Sequence, residues 1–223
     1  MRVRKEFFFY LNVAFSFILI PVTILSLTYP PVIVSQGQAH RIFYIHVPVA
    51  WVAMYSPFIG VISAILYLIK RKSLYDIVVV SSMRTAFIFS LGVIISGPIW
   101  ASTEWGTYWN WKDPRLMSFF ILALAISSFF IVRTFTDNPM KRGTYSAIMT
   151  IFSALASILT WFSIRILTPD THPGPVLHTL SKEIEITFWI SVFGYHFFFW
   201  VIFYITYQHE KIKEIYKNLM ISD

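Results

Sequence analysis

The sequence contains no cysteine and few charged residues among its 223 positions. The absence of cysteine excludes a disulfide, a dithiol redox motif, a thiolate zinc site, an iron–sulfur cluster and a CxxCH haem attachment site within the chain. Charged residues make up 13% of the sequence, against roughly 25% in an ordinary soluble domain. Phosphate-loop, GxSxG and HExxH motifs are also missing, so we expect no nucleotide-dependent or hydrolytic enzyme.

The sequence is instead rich in apolar residues, which make up 57% of it and include 22 Phe, 12 Tyr and 8 Trp. A soluble chain of this size could not bury so much apolar surface. A helix needs about 20 apolar residues to cross the hydrocarbon core of a bilayer. Six runs meet this length approximately, namely Phe7–Tyr29, Ile42–Ile69, Ile77–Ala101, Leu116–Val132, Tyr145–Ile164 and Ile184–Tyr207. They predict an all-α, polytopic membrane protein with six transmembrane helices, in which residues 1–223 form one membrane domain.

The distribution of basic residues predicts the orientation of these helices, because cytoplasmic segments carry the excess of Lys and Arg. Twelve of the 18 basic residues lie in the two termini and in the loops after the second and fourth runs, and five lie in the other loops. Both termini are therefore expected in the cytoplasm, in a cell membrane. The net charge of +7 is interpreted as a topology signal and not as a nucleic-acid surface.

Tryptophans cluster in and just before the second outer loop, which is predicted over Ser102–Arg115. Half of the eight Trp residues fall within twelve positions, at Trp100, Trp105, Trp109 and Trp111. Clustered indoles are suited to a flat, aromatic ligand, with which they make stacking and edge contacts. An aromatic belt at the headgroup level is the alternative interpretation. The sequence alone leaves both open.

Histidine and arginine side chains accompany this cluster on the predicted outer side. His46, His172 and His178 are candidates to bind iron in haem, or zinc, because imidazole is a ligand of both metals. An ordinary hydrogen-bonded loop histidine is the alternative for each of them. Haem also carries two propionates, for which the outer-side candidates are Arg41, Arg115, Arg165 and Lys182. Snorkelling at the ends of the helices would explain the same cations.

A few polar or helix-breaking residues interrupt the apolar runs. Arg84 is expected to face the bundle and to find a partner on the cytoplasmic side, not Glu185. Arg133 is expected to snorkel out of the fourth helix. His196 lies near the middle of the sixth run and is either functional or bonded to a backbone carbonyl. Prolines 48, 57 and 98 are possible helix breaks.

Several segments resemble the haem-handling proteins of cytochrome c maturation. Residues Trp105–Leu116, WGTYWNWKDPRL, are similar to the signature WGxxWxWD-x-RL, except that Lys112 intervenes before the aspartate. Residues Gly37–Ala50, GQAHRIFYIHVPVA, resemble the family's first histidine region, RIxYxHVPxA, and Thr171–Gly174 resembles its second. The resemblance covers nearly the whole chain. It is strongest to the CcmC (haem exporter protein C) type of the CcmC/CcmF/CcsA family.

This resemblance implies a protein that binds haem b at the outer face of the cytoplasmic membrane. The implied axial ligands are His46 and His172, with His178 as the alternative to His172. The implied porphyrin platform consists of Trp105, Trp109, Trp111 and Asp113. Arg41 and Arg115 stand at positions suited to the propionates.

The implied role is transfer of haem to the periplasmic haem chaperone CcmE for the biogenesis of c-type cytochromes. The implied partners are the ABC-type complex of CcmA and CcmB and the small subunit CcmD. Two other functions fit a six-helix membrane protein. A haem b electron carrier would hold its haem between facing helices within the bundle, and a small-solute permease would need broken helices with polar groups near the midplane.

Overall fold

The computed structural model describes residues 2–34, 36–166 and 181–222. The described chain is helical, with seven α-helices and one short 3₁₀-helix over Gly37–Ile42. The α-helices are α1 Arg2–Ser16, α2 Leu19–Thr28, α3 Phe43–Lys70, α4 Ser73–Trp105, α5 Pro114–Thr134, α6 Pro139–Ile166 and α7 Lys182–Ser222. Six segments are long and apolar enough to cross a membrane, with α1 and α2 together forming the first. The predicted all-α fold with six spans is confirmed.

Helices α3 to α6 form the centre of the bundle. Helix α3 packs against α4 and α6, and α5 packs against α6. Fully buried side chains such as Val52, Met83 and Leu122 fill the space between them. Small residues allow the helices to approach closely: a Cβ atom at Gly60 would lie 2.9 Å from Thr150 Cγ2.

The remaining helices lie at the periphery. Helix α7 packs against α3 and α4, and α1 and α2 run along α7. The rings of Phe9 and Tyr204 stack at 4.7 Å, as do those of Phe15 and Phe197. The first span is therefore attached to the bundle mainly through α7.

The first span is interrupted at residues 17 and 18, whereas the sequence predicted one continuous run. Pro21 explains the interruption, because proline has no N–H for the carbonyl of Phe17 and its ring displaces that carbonyl. The local backbone bonds span three residues instead, as in Ile18 N to Phe15 O at 3.1 Å and Ile20 N to Phe17 O at 3.1 Å.

The other prolines do not break their helices. Pro48 and Pro57 lie inside α3, and Pro98 lies inside α4. The carbonyl of Tyr44, which Pro48 leaves without its helical donor, accepts a hydrogen bond from the Ser191 hydroxyl of α7. The broken helices that a permease would need are therefore not found at these three prolines.

The two ends of the bundle differ. The Trp end comprises residues 29–34, 36–42 and 106–113, with the adjoining ends of the helices. The basic end comprises residues 71–72 and 135–138, with the start of α1 and the end of α7. Near the basic end, Arg84 Nη2 lies 2.8 Å from Glu210 Oε1 of α7. This ion pair confirms the expectation that Arg84 finds a partner towards the basic end of the bundle.

Arg133 does not snorkel outward, and the expectation that it would was wrong. Its two terminal nitrogens donate to the carboxylate oxygens of Asp76 at 2.8 and 2.7 Å, and Nη1 also donates to Ser146 Oγ at 2.8 Å. A two-pronged ion pair with a carboxylate is the geometry that guanidinium favours. It connects α5, α4 and α6 at the basic end.

Candidate functional site at the Trp end

His46 lies in the first turn of α3 and faces α4. Its Nδ1 atom is 2.8 Å from the hydroxyl oxygen of Ser96, which in turn donates its proton to the carbonyl of Gly92 at 2.7 Å. With the hydroxyl proton directed to the Gly92 carbonyl, Ser96 accepts a hydrogen bond from Nδ1–H of His46. In the neutral imidazole the lone pair then belongs to Nε2, which is the form that binds iron.

Aromatic packing and a glycine fix the position of the His46 ring. The indole of Trp100, which is buried, meets it edge to face with ring centroids 5.5 Å apart. A Cβ atom at Gly97 would lie 3.3 Å from His46 Cε1, so glycine leaves the space that the ring occupies. Ser96 and Trp100 are four residues apart and therefore project from the same face of α4.

The tryptophan-rich segment begins on α4 and continues into a short loop. Trp105 is the last residue of α4, and Gly106 ends the helix with a φ of 67°, which glycine adopts without strain. The loop therefore covers residues 106–113, shorter than the predicted Ser102–Arg115. Trp105 lies five residues beyond Trp100, or ~7.5 Å further along the helix axis.

Trp109 and Trp111 form an aromatic group with Phe120 of α5. The three ring pairs meet edge to face, with centroids 5.8 Å apart for Trp109–Trp111, 6.0 Å for Trp109–Phe120 and 5.8 Å for Trp111–Phe120. Trp111 remains 66% exposed. Phe120 thus supports an indole surface that is open for contact.

Asp113 is buried and caps α5. Its Oδ1 accepts hydrogen bonds from the backbone N–H of Arg115 at 2.8 Å and of Leu116 at 3.4 Å, and Pro114 occupies the first helical position. Lys112 belongs to the preceding turn, in which its N–H donates to the side chain of Asn110 at 3.0 Å. The cap determines where the loop ends and α5 begins.

The two predicted propionate partners lie on different elements. Arg41 belongs to the 3₁₀-helix, which packs on α3 and α4; its Nε donates to Gln38 Oε1 at 2.8 Å, and Nη1 donates to the Ser26 carbonyl. Arg115 is the second residue of α5 and is buried. His40, which precedes Arg41 in the sequence, is buried as well, and its Nε2 lies 3.2 Å from Tyr44 Oη.

The structure thus brings His46 together with Trp100 and places Trp105 further along the same helix. It groups Trp109 with Trp111, and Asp113 with Arg115. The predicted second ligands, His172 and His178, lie outside the described residues. Among the described residues, no three His, Cys, Asp or Glu side chains form a group that could hold a metal ion. One imidazole does fit an iron whose equatorial ligands are the four nitrogens of a porphyrin.

Sequence reasoning missed the residues that position this site. Ser96, Gly97 and Phe120 were not predicted, and Trp100 was noted only as a member of the cluster. The four-residue spacing of Ser96 and Trp100 was the available signal, but only the fold shows that this face of α4 meets His46.

The helical bundle has six membrane-capable segments, and one end of it carries a histidine that is hydrogen-bonded through Nδ1 and an indole-rich loop. These features define a multi-pass membrane protein with a candidate site for a flat aromatic ligand. The family model "Heme exporter protein C" matches residues 1–221. The chain belongs to this family.

Individual relatives are similar over most of the chain. Heme exporter protein C of Rhodobacter capsulatus is 25% identical, and the match covers 81% of this chain and 76% of that protein. Heme exporter protein C of Paracoccus denitrificans is 25% identical, and the match covers 67% of this chain and 61% of that protein. A putative cytochrome c biosynthesis ccmC-like mitochondrial protein of Marchantia polymorpha is 26% identical, with 86% and 82% covered.

Proposed function

We propose that this protein binds haem b at the Trp end and presents it to a partner for the biogenesis of c-type cytochromes. The observation that supports this most strongly is the 2.8 Å contact of His46 Nδ1 with the Ser96 hydroxyl, which itself bonds to the Gly92 carbonyl; this arrangement favours the proton on Nδ1 and the lone pair on Nε2. A hydrogen bond to the far nitrogen of a ligating imidazole is the usual way in which proteins orient such a ligand. Membership of the haem exporter protein C family supports the same ligand.

In this proposal His46 binds the iron from one face, and His172 binds it from the other, with His178 as the alternative. Trp105, Trp109 and Trp111 contact the porphyrin, because indole faces and edges suit a flat conjugated ring. Arg41 and Arg115 lie near the Trp end and neutralise the propionates. Asp113 contributes by capping α5, which fixes Arg115 and the end of the loop.

The protein has no turnover of its own in this proposal. It lies in the cytoplasmic membrane with both termini inside and the Trp end outside, as the distribution of basic residues predicts. There it delivers haem to the chaperone CcmE, in concert with CcmA, CcmB and CcmD. An exposed Trp111 leaves one edge of the site open to the recipient.

The test is haem transfer from purified protein to purified haem-free chaperone. Wild-type protein is expected to copurify with haem and to transfer it to the chaperone. His46→Ala and His172→Ala should each lower the haem content, and the double variant should carry none. His209→Ala is the matched control, because His209 is an exposed histidine near the basic end. Full haem content in the double variant would refute the assignment, and haem that stays on the protein would refute delivery.

A further inference from the structure

A cleft of about 490 Å³ lies on the side of the bundle between α6 and α7. Both helices pack against α3, which forms its floor. Trp51, Tyr55 and Phe58 line it from α3, and Ile158, Trp161 and Phe162 line it from α6. Phe58, Ile158, Trp161 and Phe162 are each more than 40% exposed, so the cleft is open on the side that faces lipid.

The cleft is separate from the site at the Trp end. Tyr55 follows His46 by nine residues, which is two and a half turns of α3. The two side chains therefore project from opposite faces of the helix, and Tyr55 lies ~14 Å deeper along its axis. A ligand in the cleft would not share ligands with a haem at His46.

The described lining of the cleft is mainly apolar, with polar groups at Tyr55, Ser157 and Arg165, and His196 of α7 adds a ring nitrogen that can accept a hydrogen bond. Its Nδ1 lies 2.7 Å from the carbonyl oxygen of Val192, one turn earlier on the same helix. A carbonyl can only accept, so Nδ1 carries the proton, and the lone pair of the neutral ring belongs to Nε2. Because Nδ1 is held by the backbone of α7, Nε2 points away from that helix. The Tyr55 ring packs on the imidazole at 5.1 Å, with an interplanar angle of 30°.

We propose that this cleft binds the ring of a lipid-soluble hydroquinone, one hydroxyl of which donates to Nε2 of His196. Trp51, Tyr55 and Trp161 supply aromatic contacts for a flat six-membered ring. An apolar substituent on the ring extends past the exposed rings of Phe58 and Phe162. The described lining is mainly apolar and also carries the hydroxyls of Tyr55 and Ser157. The Nε2 acceptor of His196 favours a ligand with a hydroxyl proton, since a buried acceptor left unpaired lowers affinity.

The cleft suits a hydroquinone better than a porphyrin. A porphyrin carries two carboxylates, whereas the lining contains one cation, Arg165, among the residues that the structure describes. The Arg165 guanidinium already lies over the Trp161 indole, 3.0 Å from the ring centroid. The proposal is independent of haem binding at the Trp end.

The test is equilibrium binding to the full chain in lipid nanodiscs, with protein-free nanodiscs subtracted. The probes are decyl-benzohydroquinone, the matching quinone and the dimethyl ether of the hydroquinone. We expect the hydroquinone to bind saturably and about fivefold more tightly than the two probes without hydroxyl protons, which is the effect of one hydrogen bond. This comparison uses the unaltered protein and does not depend on how a variant folds.

The variant His196→Phe keeps a flat ring but removes the acceptor, so the preference for the hydroquinone should disappear. The control His209→Phe makes the same change near the basic end of the same helix and should keep the preference. Equal binding of the three probes by the unaltered protein, or an unchanged preference in His196→Phe, would overturn the proposal. The proposal would also be overturned if the haem spectrum were lost in His196→Phe and kept in His46→Ala. The cleft would then bind a porphyrin.

Discussion

Replacing Ser96 by alanine removes the hydroxyl that holds Nδ1 of His46. The 2.8 Å hydrogen bond is lost, and with it the contact that favours the proton on Nδ1 of the imidazole. One net hydrogen bond contributes about 0.5–1.5 kcal/mol, which corresponds to roughly 2- to 12-fold in affinity. Removing the partner that orients a metal ligand typically costs about 10- to 100-fold. We therefore expect haem affinity to fall about tenfold in Ser96→Ala.

The assay is a titration of haem-free protein in detergent with haem, followed by the Soret absorption. Ser96→Thr keeps a hydroxyl at the same place and should retain most of the affinity. Ser102→Ala is the matched control on the same helix, because the Ser102 hydroxyl bonds only to the carbonyl of Ile99 among the contacts described. If Ser96→Ala and Ser102→Ala bind haem equally well, the assignment of the Nδ1 hydrogen bond to ligand orientation is refuted.

Three further predictions follow from exposed residues and from the ion pair at the basic end. Trp111→Ala should weaken haem binding by roughly 2- to 12-fold, the effect of one aromatic contact, whereas the lipid-facing control Trp200→Ala should leave the titration unchanged. Asp76→Asn should lower the free energy of unfolding by about 1–3 kcal/mol, because it leaves the Arg133 guanidinium without its carboxylate. Thermal unfolding in detergent would measure this change, and an unchanged midpoint would contradict the prediction. Because the chain has no cysteine, a membrane-impermeant maleimide on intact cells should label Tyr108→Cys and not Lys213→Cys, and the opposite pattern would reverse the proposed orientation.

The apolar runs predicted the number and approximate positions of the spans because the requirement for about 20 residues is a property of the bilayer and not of tertiary packing. The ends of the helices were harder to predict. Trp105 belongs to α4 and Arg115 to α5, because Gly106 ends one helix and Asp113 caps the next. The sequence contained both signals, but the density of aromatic residues suggested a longer loop.

The pairing of side chains from different helices could not be predicted from the sequence. Arg133 looks like a snorkelling residue at the end of a run, yet Asp76 lies 57 residues earlier and meets it only in the folded bundle. The same holds for His46 and Ser96, which are 50 residues apart. Motif resemblance identified the histidine, whereas the hydrogen bond that assigns its tautomer required the packing of α3 on α4.

The most direct test of haem ligation by His46 is chemical rescue of His46→Gly. The absorption spectrum of the haem-loaded wild-type protein should be that of a low-spin, six-coordinate iron with two imidazole ligands. His46→Gly should lose that spectrum, and added imidazole should restore it by occupying the space left beside Ser96 and Trp100. If His46→Gly keeps the wild-type low-spin spectrum without added imidazole, His46 is not an axial ligand and the account of the site is wrong.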